Sequence, residues 1–166
     1  MSDVLCIYYS RTGNTQRVME DIAASLDAES VRIRDGVERS GWRGYLRCGL
    51  DAMRKDTAPL DPLQTERPLT AYRLVILASP VWAGRCSSVV RAFLRTYGQR
   101  LQAVSYVVTR SGEGKFQDVY RQMDQYVTDP HLTDVSLRLD SVGCDFWREE
   151  FLRQTREVLS GGREEK

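Results

Sequence analysis

The chain has 166 residues, of which 42% are hydrophobic and 28% charged, with 24 basic against 23 acidic side chains and a formal net charge of +1. That length implies one domain able to bury roughly 70% of its unfolded surface, and ordinary composition argues against wholesale disorder. The near-neutral balance argues against a protein that coats nucleic-acid phosphates, and no run approaches the ~18 apolar residues of a membrane span.

Residues 4–9 form a continuous apolar run of strand length, as expected of a strand buried on both faces. Val18, Ile22, Ala23 and Leu26 then recur at helical spacing, and residues 30–34 alternate like a short edge strand. Trp42, Tyr45, Leu46, Gly49, Leu50 and Met53 follow at i, i+3, i+4, i+7, i+8 and i+11, with Arg43, Arg47, Arg54 and Lys55 opposite. This pattern predicts a crossover helix that packs its apolar face on the sheet. A second reading gives the basic face to an acidic partner or a membrane surface. Pro59, Pro62 and Pro68 make the following stretch an extended loop.

Residues 74–78 are the second fully buried run. Val89, Val90, Phe93, Leu94 and Tyr97 mark a helix that Gly98 stops. Residues 103–108 predict another buried strand, and Phe116, Val119, Tyr120, Met123 and Val127 another helical face, ending near Pro130. Residues 135–139 alternate like a last strand, and Phe146, Phe151 and Val158 lie on a closing helix. Strands alternating with helices predict βαβ units around a parallel sheet, in a single three-layer doubly wound α/β domain over residues 1–160. Residues 161–166 read as a charged, disordered tail.

The cysteines, Cys6, Cys48, Cys86 and Cys144, are too scattered for a Cys-x-x-Cys pair and too few for a disulfide scaffold. With no signal-peptide pattern at the start, they read as reduced thiols of a cytoplasmic protein. A packing role suits Cys86, although a helix start there could lower its pKa. The single histidine, His131, argues against a His-based metal site or triad and reads as a surface turn residue.

In an open parallel sheet, ligands bind beyond the carboxyl ends of the strands. The first strand is followed by Ser10, Arg11, Thr12, Gly13, Asn14 and Thr15, leading into a helix. Three hydroxyls, an amide and a glycine at a helix N-terminus make an anion site. Neither the nucleoside-triphosphate loop nor the dinucleotide fingerprint is present. Cys6 lies inside the strand, which rules out a Cys-x₅-Arg phosphatase loop, and no aspartates stand at the strand ends for phosphoacceptor chemistry. The next buried strand is followed by Ser79, Pro80, Val81, Trp82, Ala83 and Gly84, where an aromatic beside a glycine suits a planar ring. The strand after that ends in Thr109, Arg110, Ser111, Gly112, Glu113 and Gly114, a flexible loop able to close on the other side.

With residues 10–15 matching Ser/Thr-x-Thr-Gly-x-Thr, and residues 80–84 matching Pro-x-Trp-x-Gly, the chain resembles the flavodoxins over its whole length in element order. The resemblance implies a five-stranded sheet of order 2-1-3-4-5 in its shorter variant, with FMN as cofactor. The phosphate would lie at Ser10, Arg11, Thr12, Gly13, Asn14 and Thr15. The ribityl chain would pass Ser79 and Pro80. The ring would lie between residues 81–84 and the Ser111–Gly112 pair, met by the carbonyl of Ala83 or Gly84. It implies electron transfer to a redox partner protein or a small-molecule acceptor, as a carrier or a small oxidoreductase with quinone-reductase-like chemistry. A flavodoxin-fold interaction or regulatory module without flavin is the alternative. The chain departs from the family in lacking strong acidity. Arg11, Arg85 and Arg110 sit on the cofactor loops, and positive charge there favours the anionic reduced flavin and a less negative second potential.

Overall fold

A computed structural model describes residues 2–55, 57–114 and 116–161. The strands are β1 (Val4–Tyr8), β2 (Glu29–Arg32), β3 (Leu74–Trp82), β4 (Arg85–Cys86), β5 (Val104–Arg110) and β6 (Asp134–Arg138). The helices are α1 (Asn14–Leu26), α2 (Gly41–Arg54), α3 (Ser88–Tyr97), α4 (Gln117–Asp124) and α5 (Cys144–Gly161). Five strands pair in parallel in the order β2-β1-β3-β5-β6, which is the predicted order once the two-residue β4 is set aside. Of the expected tail, Gly161 closes α5 and residues 162–166 lie outside the described residues.

The period-2 alternation of β1 divides the core. Leu5 and Ile7 face a layer that includes Val89, Phe93, Val119 and Met123 of α3 and α4. Val4, Cys6 and Tyr8 face a layer with Val18 and Ile22 of α1 and Phe151 and Leu152 of α5. Both faces of the strand are thus covered, which explains its unbroken apolar sequence. Cys6 and Cys86 lie inside this core, and burial pushes their thiols up to about 12 and about 11. Cys86 is therefore a packing residue, not an activated thiol.

β3 extends four residues beyond its predicted end. Val81 and Trp82 turn back through Ala83 and Gly84 to pair antiparallel with Cys86 and Arg85. Both turn residues have positive φ, 48° and 71°, the backbone of a two-residue primed hairpin turn.

The largest departure from the sequence reading is α2. Its buried stripe is Gly44, Cys48, Asp51 and Ala52. The apolar residues expected against the sheet instead face solvent, with Trp42 69%, Leu46 55% and Met53 64% exposed. Two buried arginines accompany this roll: Arg91 of α3 donates to the Asp51 and Ala52 carbonyls at 2.9 and 3.3 Å, and Arg39 lies just before the helix. Its guanidinium grips both oxygens of Asp35 at 2.7 Å and reaches Asp51 and Ser88 at 3.3 Å. It also lies over the rings of Tyr9 and Trp82, 5.9 and 5.6 Å from their centroids. Burial works against its charge, yet the hydrogen bonds and charge of Asp35, with Tyr9 and Asp51 adding to them, together hold the group more firmly protonated than an ordinary arginine. Binding Asp51 to this buried cation, and the Asp51 and Ala52 carbonyls to Arg91, rolls the polar side of α2 inward. Gly44 permits the approach, because a Cβ there would lie 2.0 Å from the Arg39 carbonyl carbon and oxygen.

His131 is also not a surface turn residue. Its ring is held between Asp124 at 2.8 Å and Asp134 at 2.9 Å, beside the rings of Tyr106 and Tyr120. Phe146 lies on the closing helix as expected and is exposed there, whereas Phe151 is buried in the core.

Two predictions follow from these buried charges. Arg39→Met strands the Asp35 carboxylate in the interior and should cost about 3–5 kcal/mol in urea denaturation, with part of the loss recovered by adding Asp35→Asn. The hydrogen bond to Asp134 is the main cause raising the His131 pKa above 6.5, burial opposes it, and Asp124 adds to the rise. A raised folded-state value stabilises fully below the unfolded value and is lost as pH rises through the folded one. His131→Gln should therefore lower the melting temperature more at about pH 5.5 than at about pH 9.

Candidate functional site

The strand order reverses between β1 and β3, so the loops leaving their carboxyl ends diverge and open a crevice. A cavity of about 280 Å³ occupies it. Of the residues singled out in the sequence, Ser10, Arg11, Thr12, Asn14, Thr15, Pro80, Val81, Trp82 and Ser111 line this cavity.

The floor is the start of α1. Gly13 has φ 94° and precedes the helix without providing a side-chain cap, and nothing stands within 4 Å of where a Cβ would be. Its own N–H is taken by Ser10 Oγ at 3.0 Å. The first-turn amides beyond it therefore carry no side-chain cap and lie at the positive end of the helix dipole. Thr15 Oγ1 meets Thr109 Oγ1 at 2.7 Å in a buried hydrogen bond that ties this turn to the end of β5. Arg32 Nη2 donates to the Ser10 carbonyl at 2.6 Å and anchors the loop from the β2 side.

One wall is Trp82. It is only 7% exposed, set edge-on to Tyr9 with ring centroids 5.4 Å apart and covered by Arg39. The aromatic beside a glycine is thus not an exposed platform, because the hairpin locks the indole into the wall. Ser79 does not line the cavity. Its buried hydroxyl accepts from the Ser87 N–H at 2.8 Å and donates to the Pro80 carbonyl at 2.9 Å. Gly13 and Gly112 shape the adjoining turns, while Ala83 and Gly84 sit exposed at the hairpin tip.

The charges around the mouth are arginines. Arg11 donates to the Arg39 carbonyl at 3.3 Å and lies 5.7 Å from the Tyr45 ring centroid. Arg110 donates to Ser136 Oγ at 2.8 Å and to the Gly112 carbonyl at 2.6 Å, bracing the flexible loop. Arg85, the third arginine expected here, does not reach the cavity and belongs to β4.

Thr109 and Arg110 of the third loop line the cavity as well, and Tyr45, Arg138, Leu139 and Asp140 do so without having been singled out as site residues in the sequence. Arg138 to Asp140 lie at the carboxyl end of the last strand, where the strand-end rule could have found them. Tyr45 could not be found that way, because its place depends on how α2 is rolled.

No family model and no curated protein matches the sequence. Solved structures do match the fold. A flavoprotein from Lactobacillus acidophilus NCFM, solved in complex with FMN, is 21% identical over 89% of this chain and 99% of its own, with TM-score 0.64. A protein of Bacteroides eggerthii DSM 20697, assigned as a flavoprotein, is 17% identical over 91% and 98%, with TM-score 0.71. Megasphaera elsdenii flavodoxin, solved in its two-electron reduced form, is 18% identical over 90% and 98%, with TM-score 0.53. The fold is flavodoxin-like.

Proposed function

We propose that this chain binds FMN in the crevice between β1 and β3 and works as an electron-transfer flavoprotein, either a carrier or a small oxidoreductase. The observation that carries the reading is the uncapped, glycine-led start of α1, opening with Ser10, Thr12, Asn14 and Thr15 into a cavity walled by a tryptophan. Free amides at a helix start, flanked by hydroxyls, suit a phosphate monoester. A fixed indole suits one edge or face of a tricyclic ring. The flavodoxin-like fold and the FMN complex of one structural neighbour support the same ligand.

In this reading the hydroxyls of Ser10, Thr12 and Thr15 and the amide of Asn14 hold the phosphate, and the first-turn N–H groups of α1 face it. Bound there, FMN would supply one- and two-electron chemistry, and the protein would supply position and electrostatics. Trp82 excludes water from one side of the ring, its orientation held by Tyr9 and Arg39. Arg11, Arg110 and Arg138 place positive charge at the mouth, with Glu113 and Asp140 as the nearby acids. This excess of cations favours a reduced, negatively charged flavin over a neutral one. It suits delivery of electrons in pairs to a small acceptor such as a quinone, as well as exchange with a redox partner protein. The alternative, an interaction module of the same fold without flavin, draws on the exposed apolar residues bordering the site.

The deciding measurement is the visible spectrum of the purified protein before and after addition of FMN and removal of the excess. Bands near ~370 and ~450 nm are expected, and no retained flavin at high FMN concentration would transfer the assignment to the interaction module. Thr12→Ala should weaken FMN binding about tenfold by removing one phosphate hydrogen bond. Arg110→Gln should make the second reduction potential more negative by roughly 30 mV, the size of one screened charge near the ring. An unchanged potential in spectroelectrochemical titration would remove Arg110 from the tuning of the flavin.

A further inference from the structure

The exposed apolar residues are not scattered. Trp42, Tyr45, Leu46, Leu50 and Met53 form the outward crest of α2, while Val142, Phe146 and Trp147 cluster at the start of α5. Phe146 and Trp147 pack edge to face with centroids 5.2 Å apart. Tyr45 of the first cluster lines the cavity, and Leu139 and Asp140, which precede the second cluster in the chain, line it too. The cavity mouth therefore lies beside the α2 crest and next to the segment that leads into the second patch.

α2 carries three stripes. One is buried (Gly44, Cys48, Asp51 and Ala52), one is the apolar crest, and between them Arg43, Arg47 and Arg54 form a basic flank. The single carboxylate within Gly41–Arg54 is Asp51, which is turned inward to Arg39 and Arg47. The Arg43 guanidinium lies 5.3 Å from the Trp42 ring centroid, so cation and aromatic share one surface. Convex helix crests with Trp, Tyr, Leu and Met beside an arginine row match the pattern of helices that lie in a membrane interface. The second patch is flanked by acids, Asp140 before it and Asp145 and Glu149 beside Phe146 and Trp147 with Arg148 between them, so the basic charge that faces an anionic surface comes from α2. Among the described residues no helix is long and apolar enough to cross a membrane, so contact would be at the surface.

We propose that the rim formed by the α2 crest and the start of α5 docks on an anionic lipid surface, with the cavity mouth held at headgroup level. An apolar crest beside the opening and a second patch past the segment next to it suit a broad, flat partner, and the basic flank with its inward-turned carboxylate supplies the charge complementarity. The proposal does not depend on which ligand fills the cavity.

The test is co-sedimentation of the full-length protein with vesicles of phosphatidylcholine alone and with vesicles carrying about 30% phosphatidylserine. Pelleting with the anionic vesicles, with blue-shifted tryptophan emission, is expected. Arg43→Ala and Arg54→Ala should each weaken it about fivefold. The pair Leu46→Glu and Phe146→Glu should abolish it while leaving the circular dichroism unchanged, since both side chains are exposed in the native fold. Failure of the wild type to pellet, equal pelleting on neutral vesicles, or retained pelleting in the glutamate pair would each overturn the proposal. A wild-type dimer that ignores vesicles and is split by Leu46→Glu would also overturn it, making the face a contact between copies. Flavin retention is read on the same samples. Colourless protein that pellets sinks only the flavin assignment, and yellow protein that does not pellet sinks only the lipid one.

Discussion

A guanidinium that leaves water must find acceptors inside the protein, and Arg39 is a buried cation whose two Nη atoms find them. Asp35 from the segment after β2, Asp51 from α2 and Ser88 from α3 converge on it. Tyr9 and Trp82 supply the ring faces. This one charge brings five parts of the chain together at once. With Arg91 it sets the roll of α2 and links that helix to α3, and it pins the tryptophan that walls the cavity. Its carbonyl also accepts from Arg11, which carries the constraint into the loop after β1.

That constraint has opposite consequences on the two sides of α2. Inward, a small and polar stripe replaces the apolar one that amphipathic periodicity leads one to expect. Gly44 and Ala52 allow close approach, and Asp51 meets its cation. Outward, the crest keeps its apolar side chains in solvent. The helix sacrifices hydrophobic burial there, and the buried ion network is what holds it in that orientation. A stripe of exposed aromatic and aliphatic residues kept in place by a buried charge network points to a surface with a use.

At the crevice the same economy of means recurs. Topology brings two divergent loops together, and the chain leaves the first turn of α1 uncapped, with glycine in the left-handed region before it. The hydroxyls that could have capped the helix are directed elsewhere: Ser10 receives the Gly13 amide and Thr15 reaches across to Thr109. Around this opening the arginines are braced by neutral acceptors as well as acids. Arg110 donates to Ser136 and to the Gly112 carbonyl, so its charge is less cancelled than that of an ion-paired cation.

Local pattern sufficed for the parallel sheet, the strand positions and the place of the loop at residues 10–15, because each rests on short-range periodicity or on residue chemistry at a strand end, whereas the strand order came from the resemblance to the flavodoxins. β1 reads as buried on both faces, and the structure covers both. The roll of α2, the hairpin that buries Trp82, the inclusion of Tyr45 in the cavity wall and the clamp on His131 were not legible in this way. Each depends on partners distant in sequence: Arg39 finds Ser88, Trp82 finds Tyr9, and Tyr45 finds Arg11. Periodicity reports which residues share a helix face, but not which face turns inward when a buried charge competes with apolar burial. The sequence by itself determined the layers and the parallel strands, and its resemblance to the flavodoxins supplied the strand order. Only the tertiary structure decided which side of α2 meets water, because that choice is settled by satisfying a charge and not by counting hydrophobic side chains.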